Sequence, residues 1–357
     1  PGWNQFTTTS PMTSATVAPV GWMSSAVVDQ LMIWSWVPFA LLGVLLRDPQ
    51  AVLWGVSGVL AFSFSHQVLT LPLVYGDRAT FDSRRLLFCL APVVLGVAIA
   101  VLRVEAFVAL AVVAAGWNAF HTVRQRYGMV RIYGRRAGQD APGVEQWLLW
   151  CGFLTAVVLA ASTTALGSTL SDGSLDLGQA GTNTELVRIL SDLRPVARWA
   201  AVPLVLVTLA LALRWWTDPR SATGGTPARW YLASTLVMFA VAPFSPLGAL
   251  LGFVGSHAVE YYLVVARSLR SRPATRPGSV LARWSATVGP WPLVIGFGGV
   301  VAVVVYGAML GPLRDLGSVV AFTLGAMHFL FDGVIWRTGR PTYAASSFVT
   351  PPSGAGS

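Results

Sequence analysis

Ten stretches dominated by apolar residues, 26–46, 51–75, 86–102, 105–130, 146–166, 197–216, 229–243, 247–267, 288–310 and 317–337, run through this chain of 357 residues. A helix needs about 20 such residues to cross the hydrocarbon core of a bilayer. Within that core every backbone N–H and C=O must find its partner inside the protein, and runs of this length do so as α-helices. The expected fold is therefore an all-α polytopic transmembrane helical bundle of about ten spans. A content of 54% hydrophobic and 11% charged residues, with a mean hydropathy of +0.63, excludes an ordinary soluble domain.

The formal net charge is +9, and all 24 basic residues are arginine. They do not form a basic face of the kind that binds nucleic acid. Eighteen of them lie with the even-numbered stretches instead: Arg78, Arg84 and Arg85 after the second, Arg124 to Arg136 at the end of the fourth, Arg214, Arg220 and Arg229 around the sixth, Arg267 to Arg283 after the eighth, Arg337 and Arg340 after the tenth. Basic residues are concentrated on cytoplasmic connections. The pattern therefore predicts an integral, multi-pass protein of the bacterial inner membrane type with both termini cytoplasmic and with lipid, not nucleic acid, as its surroundings.

Residues 1–24, rich in Thr, Ser and Pro, and residues 341–357 are expected to be disordered cytoplasmic tails flanking a single transmembrane domain, 25–340. The longest opposite connection, 167–196, carries Asp172, Asp176, Glu185 and Asp192 and reads as an external loop in which 185–195 forms a short surface helix. Cys89 and Cys151 lie inside apolar stretches and read as inert thiols, so neither a disulfide framework nor thiolate chemistry is expected.

Only four histidines occur, His66, His121, His257 and His328, each in a different even-numbered stretch. Ionisable side chains at membrane depth are costly and persist where they face a cavity, a partner or a metal. His66, His257 and His328 precede Arg78, Arg267 and Arg337 by about 12, 10 and 9 residues, which places them roughly 13–18 Å inside the basic edge at 1.5 Å per residue. His121 precedes Arg131 by about ten residues and shares that depth if the fourth helix leaves the membrane at Arg131. Residues three or four apart share a helix face: His121 has Gln125, His257 has Glu260 and Tyr261, His328 has Asp332, and His66 has Gln67 and Thr70.

Four imidazoles at one depth form a candidate metal site, with His66, His121, His257 and His328 as ligands. Glu260 and Asp332 are candidate second-layer or additional ligands, because a ligating histidine commonly donates its other N–H to a carboxylate. Gln125 and Tyr127 are candidates beside the open position. Imidazole suits iron, copper, zinc and nickel, and the lack of thiolate argues against iron–sulfur. Fe(II) activating dioxygen is the first expectation, with haem or copper as alternatives and a dinuclear centre if both carboxylates ligate directly. The segment from Trp117 to Arg136 and the aromatics Phe62, Phe64, Phe120, Tyr261, Tyr262, Phe329, Phe331 and Trp336 read either as the walls of a pocket for an elongated lipophile or as interfacial and lipid-facing packing.

Single histidines on separate spans, carried by Ser65-His66, by His121 fifty-five residues later and by Ala326-Met-His328-Phe-Leu-Phe-Asp332, resemble the Brp/Blh family of membrane carotene-cleaving dioxygenases. That resemblance implies four histidines holding one iron within the bundle and an isoprenoid or carotenoid substrate. The sequence thus points first to a metal-dependent oxidoreductase acting on a lipophilic small molecule. Two alternatives stand beside it: a transporter or proton or metal-ion pathway using the same His/Glu/Asp cluster, and a cofactor-holding subunit of a membrane complex.

Overall fold

A computed structural model describes residues 21–138, 143–171, 182–218, 226–271 and 278–336. The described residues form fifteen helices and no strand. In chain order they are α1 (Ala26–Ile33), α2 (Trp36–Leu45), α3 (Pro49–Gln67), α4 (Thr70–Tyr75), α5 (Arg78–Ser83), α6 (Arg85–Glu105), α7 (Phe107–Arg136) and α8 (Glu145–Ser162). They continue as α9 (Ala165–Ser171), α10 (Thr182–Thr217), α11 (Thr226–Val241), α12 (Pro246–Arg270), α13 (Val280–Val288), α14 (Pro290–Leu310) and α15 (Arg314–Ile335).

Short polar side chains start these helices where the pattern requires it. Asp48 accepts Ala51 N–H at 2.8 Å ahead of Pro49, and Ser245 accepts Gly248 N–H at 3.1 Å ahead of Pro246. Each satisfies one of the free N–H groups of a first turn, and proline at the first helical position loses no bond there. Two crossings are broken midway. Pro38 and Pro72 have no N–H to give to the carbonyls four residues earlier, and the chain interrupts itself at Trp34–Ser35 and at Val68–Leu69.

Nine helical segments among the described residues are long and apolar enough to cross a membrane, with α1–α2 and α3–α4 each counted as one. The chain is a multi-pass helical bundle. The seventh expected span is α11, whose 16 residues extend about 24 Å and fall short of a roughly 30 Å hydrocarbon core. The sixth runs the other way: residues 185–195, expected as a separate surface helix, are the first part of the 36-residue α10. Pairing of Arg188 with Glu185 at 2.6 Å and with Asp192 at 3.4 Å, three and four residues apart, favours continuous helix there. Of the expected external loop 167–196, residues 172–181, with Asp172 and Asp176, lie outside the described residues, as do the tails 1–20 and 341–357 and Arg220, Arg272, Arg276, Arg337 and Arg340. Residues 21–23 are buried, and the carbonyls of Trp22 and Met23 accept Arg136 and Arg267.

Helix α12 is the centre of the bundle. Its small residues Gly248 and Gly252 lie against α2, where a β-carbon on Gly43 would come within 2.6 Å of Gly248 Cα. Close approach through small residues is the usual basis of helix association in lipid. One apolar core gathers α1–α3, α7, α8, α11, α12 and the end of α10 at Trp215, and a second gathers α4, α6 and α12–α15. The histidine-bearing helices α3, α7, α12 and α15 meet where these two cores join.

Candidate metal centre

The four histidines converge. Around the ring they form, His66 lies 4.7 Å from His257, His257 5.2 Å from His121, His121 4.8 Å from His328 and His328 4.9 Å from His66, centroid to centroid. Across it, His257 and His328 are 6.5 Å apart. An ion bonded to imidazole nitrogen at about 2.0–2.1 Å would sit about 3.2 Å from each ring centroid, so neighbouring rings would be about 4.5 Å apart in a square and about 5.2 Å in a tetrahedron. The observed spacings fall between those limits.

The ring nitrogens fit the same conclusion. His66, His257 and His328 are fully buried, yet both ring nitrogens of His66 and His257, and Nε2 of His121 and His328, have no hydrogen-bond partner. Buried polar atoms are normally satisfied, and orphans clustered at one point call for a ligand. Candidate ligand atoms of His66, His257 and His328, and of His121, His328 and Asp332, lie within 4.8 Å of one another in each group. This His/Asp cluster can hold a metal ion.

The break after α3 supplies the local support. With the chain interrupted ahead of Pro72, Thr70 starts a new helix and turns its hydroxyl into the cluster, 2.8 Å from His328 Nδ1 and 3.3 Å from Asp332 Oδ1. Tyr261 donates its hydroxyl to the same carboxylate oxygen at 2.9 Å. One direction of bonding satisfies each of these groups: His328 Nδ1–H donates to Thr70, and Thr70 and Tyr261 donate to Asp332. It leaves the His328 Nε2 lone pair facing the other histidines, the outer support typical of metal-bound imidazole. Asp332 Oδ2 is 3.8 Å from His121 Nε2.

The remaining expected site residues divide. Glu260 does not turn to the ring; it pairs with Arg126 at 3.2 Å, with both side chains almost wholly buried. Gln125 bridges the Glu260 carboxylate and the His257 carbonyl, each at 3.2 Å. Tyr127, six residues beyond His121, is about 120° around the helix from it and packs among the residues of the first core. Gln67 lies against Gly325 of α15.

Of the expected aromatic wall, Tyr261, Tyr262 and Phe329 touch histidine rings. Trp117 and Phe120 are exposed, and Phe64 and Phe331 pack against Tyr306 and Phe88. Arg126 is the participant that sequence reading passed over. It falls on the buried face formed by Thr122, Arg126, Met129, Val130 and Tyr133, a spacing legible in the sequence, although it sits among arginines that read as a membrane edge.

Beside the cluster, an open apolar groove of about 270 Å³ is lined by Val28, Leu31 and Met32 of α1, Val259, Tyr262 and Leu263 of α12, and Trp291 of α14. Tyr262 forms part of its wall, is hydrogen-bonded to Ser65, and places its ring 6.5 Å from that of His66. One side chain thus touches both the groove and the histidines. No protein-family model, no curated protein and no solved structure matches this chain.

Proposed function

We propose that the chain is a metal-dependent oxidoreductase of the bacterial inner membrane, holding non-haem Fe(II) and acting on a lipophilic substrate of the isoprenoid or carotenoid kind. The observation that carries this reading is the meeting of four histidines from four crossing helices with six unpartnered ring nitrogens. His66, His121, His257 and His328 would hold the ion through neutral nitrogen. Iron bound there would supply a Lewis-acidic, redox-active centre able to engage dioxygen.

The chain's own residues account for the rest. Asp332, through Thr70, fixes the ring of His328. Tyr261 and Phe329 close the cluster with aromatic surface and exclude water. The groove at Tyr262 is open and almost wholly apolar, which suits a hydrocarbon chain arriving sideways from lipid, with Tyr262 as the partition it must pass.

Elemental analysis with an optical spectrum on detergent-purified protein tests the reading. Stoichiometric iron without a Soret band is the expected result, and its loss in His66→Ala and His328→Ala is expected to follow. A Soret band would replace the proposal with a haem-holding subunit. Absence of iron after reconstitution with Fe(II) would replace it with an ion or proton pathway.

A further inference from the structure

Outside the histidine ring, Arg126 is a charged group engaged on several sides within the bundle. Its Nη1 reaches Glu260 at 3.2 Å and Thr235 of α11 at 3.2 Å, its Nη2 reaches Ser256 at 2.6 Å, and its guanidinium lies 5.7 Å from the centre of the Phe253 ring. Taking both charges of such a pair out of water is costly, and apolar replacements of similar size are often equally stable or more so. Stability alone therefore does not explain why it is there.

Its placement does. Ser256 and Glu260 flank His257 on α12, and Gln125, next to Arg126 on α7, donates to the His257 carbonyl. Two consecutive residues of α7 thus grip α12 immediately before, at, and one turn after His257. His121, one turn before Gln125 on the same helix, meets His257 at 5.2 Å. A one-residue slip between these helices would move a ring by 1.5 Å along the axis and about 100° around it, enough to take His257 out of the ring of histidines.

We infer that Arg126 and Glu260 are positioning residues: their ion pair, with Gln125, sets the register of α12 against α7 so that His257 and His121 face one metal ion. The inference rests on the metal-centre reading above. Neither residue touches the ion, and their effect is read in how tightly and in what geometry the ion is held.

Co(II), whose visible absorption reports its coordination, is the probe, titrated into the full-length protein in detergent. The double variant Arg126→Met/Glu260→Met removes both charges and keeps the volume, and it is expected to fold. It should bind Co(II) about 10–100-fold more weakly, the usual cost of losing outer support to a ligand, with displaced absorption bands. Wild-type affinity and bands in the folded double variant would overturn the inference, because a pair that only glues helices would leave them unmoved. If the double variant does not fold, Gln125→Met decides, since it keeps the Arg126–Glu260 pair and cuts the bridge from Glu260 to the His257 carbonyl: weaker binding supports the inference and unchanged binding overturns it. Wild-type protein that takes up neither Co(II) nor Fe(II) overturns the metal reading and this inference with it. Binding by wild type and double variant alike overturns this inference alone.

Discussion

Helices α10 and α12 are both long and both cross, yet the more apolar of the two is the less buried: 11% of the most apolar stretch of α10 is buried against 72% for α12. In water the order would be reversed. Lipid is as apolar as leucine, so apolar side chains gain little by leaving it, and helices associate through close packing and polar contacts. Helix α10 turns Trp199, Val202, Leu206, Leu209 and Leu213 outward. Helix α12 has Gly248, Gly252, Gly255, Ser256, His257 and Glu260 where α10 has bulk. In this protein, polarity and small size mark the interior, and α12 brings His257 to the candidate site among residues of both kinds.

The largest effect that can test this contrast is at the site. His257→Ala is expected to lower affinity for Fe(II) or Co(II) by more than about 100-fold, beyond the range for outer-layer changes, with metal content after gel filtration as the check. Retention of stoichiometric metal would mean that α12 is merely a structural core. Next, Leu251→Ala truncates a side chain 1% exposed on α12 and should cost about 2–5 kcal/mol in detergent unfolding. Gly43→Val on α2 tests the same contact from the other side: the β-carbon would meet Gly248 Cα at 2.6 Å, and forcing the helices apart should cost about 1–3 kcal/mol. A stable Gly43→Val protein would show that the two helices can separate without loss.

A narrower question is whether the hydroxyl of Thr70 tunes the site as well as filling space. Thr70→Val keeps the shape and removes the bond at 2.8 Å to His328 Nδ1. It should weaken metal binding by about 10–100-fold with the fold intact. Equal affinity would mean that the His328 ring is held by packing alone.

These contrasts also explain how much the sequence could disclose. The crossings are legible because lipid imposes a length and a composition on each. The excess length of α10 and the shortness of α11 are not, since both depend on what surrounds the helix ends. The four histidines stand out because they are the only ones in the chain and each falls in a separate apolar stretch. Asp332 is legible as a partner of His328, one turn away on α15. Glu260 lies three residues after His257, also within one turn, yet it faces Arg126 on another helix, and spacing within one helix cannot say what the next helix presents. Tyr127 differs for a simpler reason: six residues from His121, it lies about 120° around α7 from that ring and packs in the first core. Arg126 is hidden in a run that also contains Arg124, Arg131, Arg135 and Arg136, and only the buried face from Thr122 to Tyr133 separates it from them.

The smallest expected effect gives the contrast its sharpest form. Leu206 on α10 is 62% exposed, and in a bilayer that exposure is to acyl chains. Leu206→Ala therefore exchanges contacts with lipid for other contacts with lipid and opens no cavity, so its cost should stay within about 0.5 kcal/mol, measured beside Leu251→Ala under the same conditions. The two substitutions remove identical atoms, and only the surroundings differ. If Leu206→Ala costs as much as Leu251→Ala, then α10 is covered by protein in the native membrane, and its outward face belongs to an assembly between chains instead of to lipid.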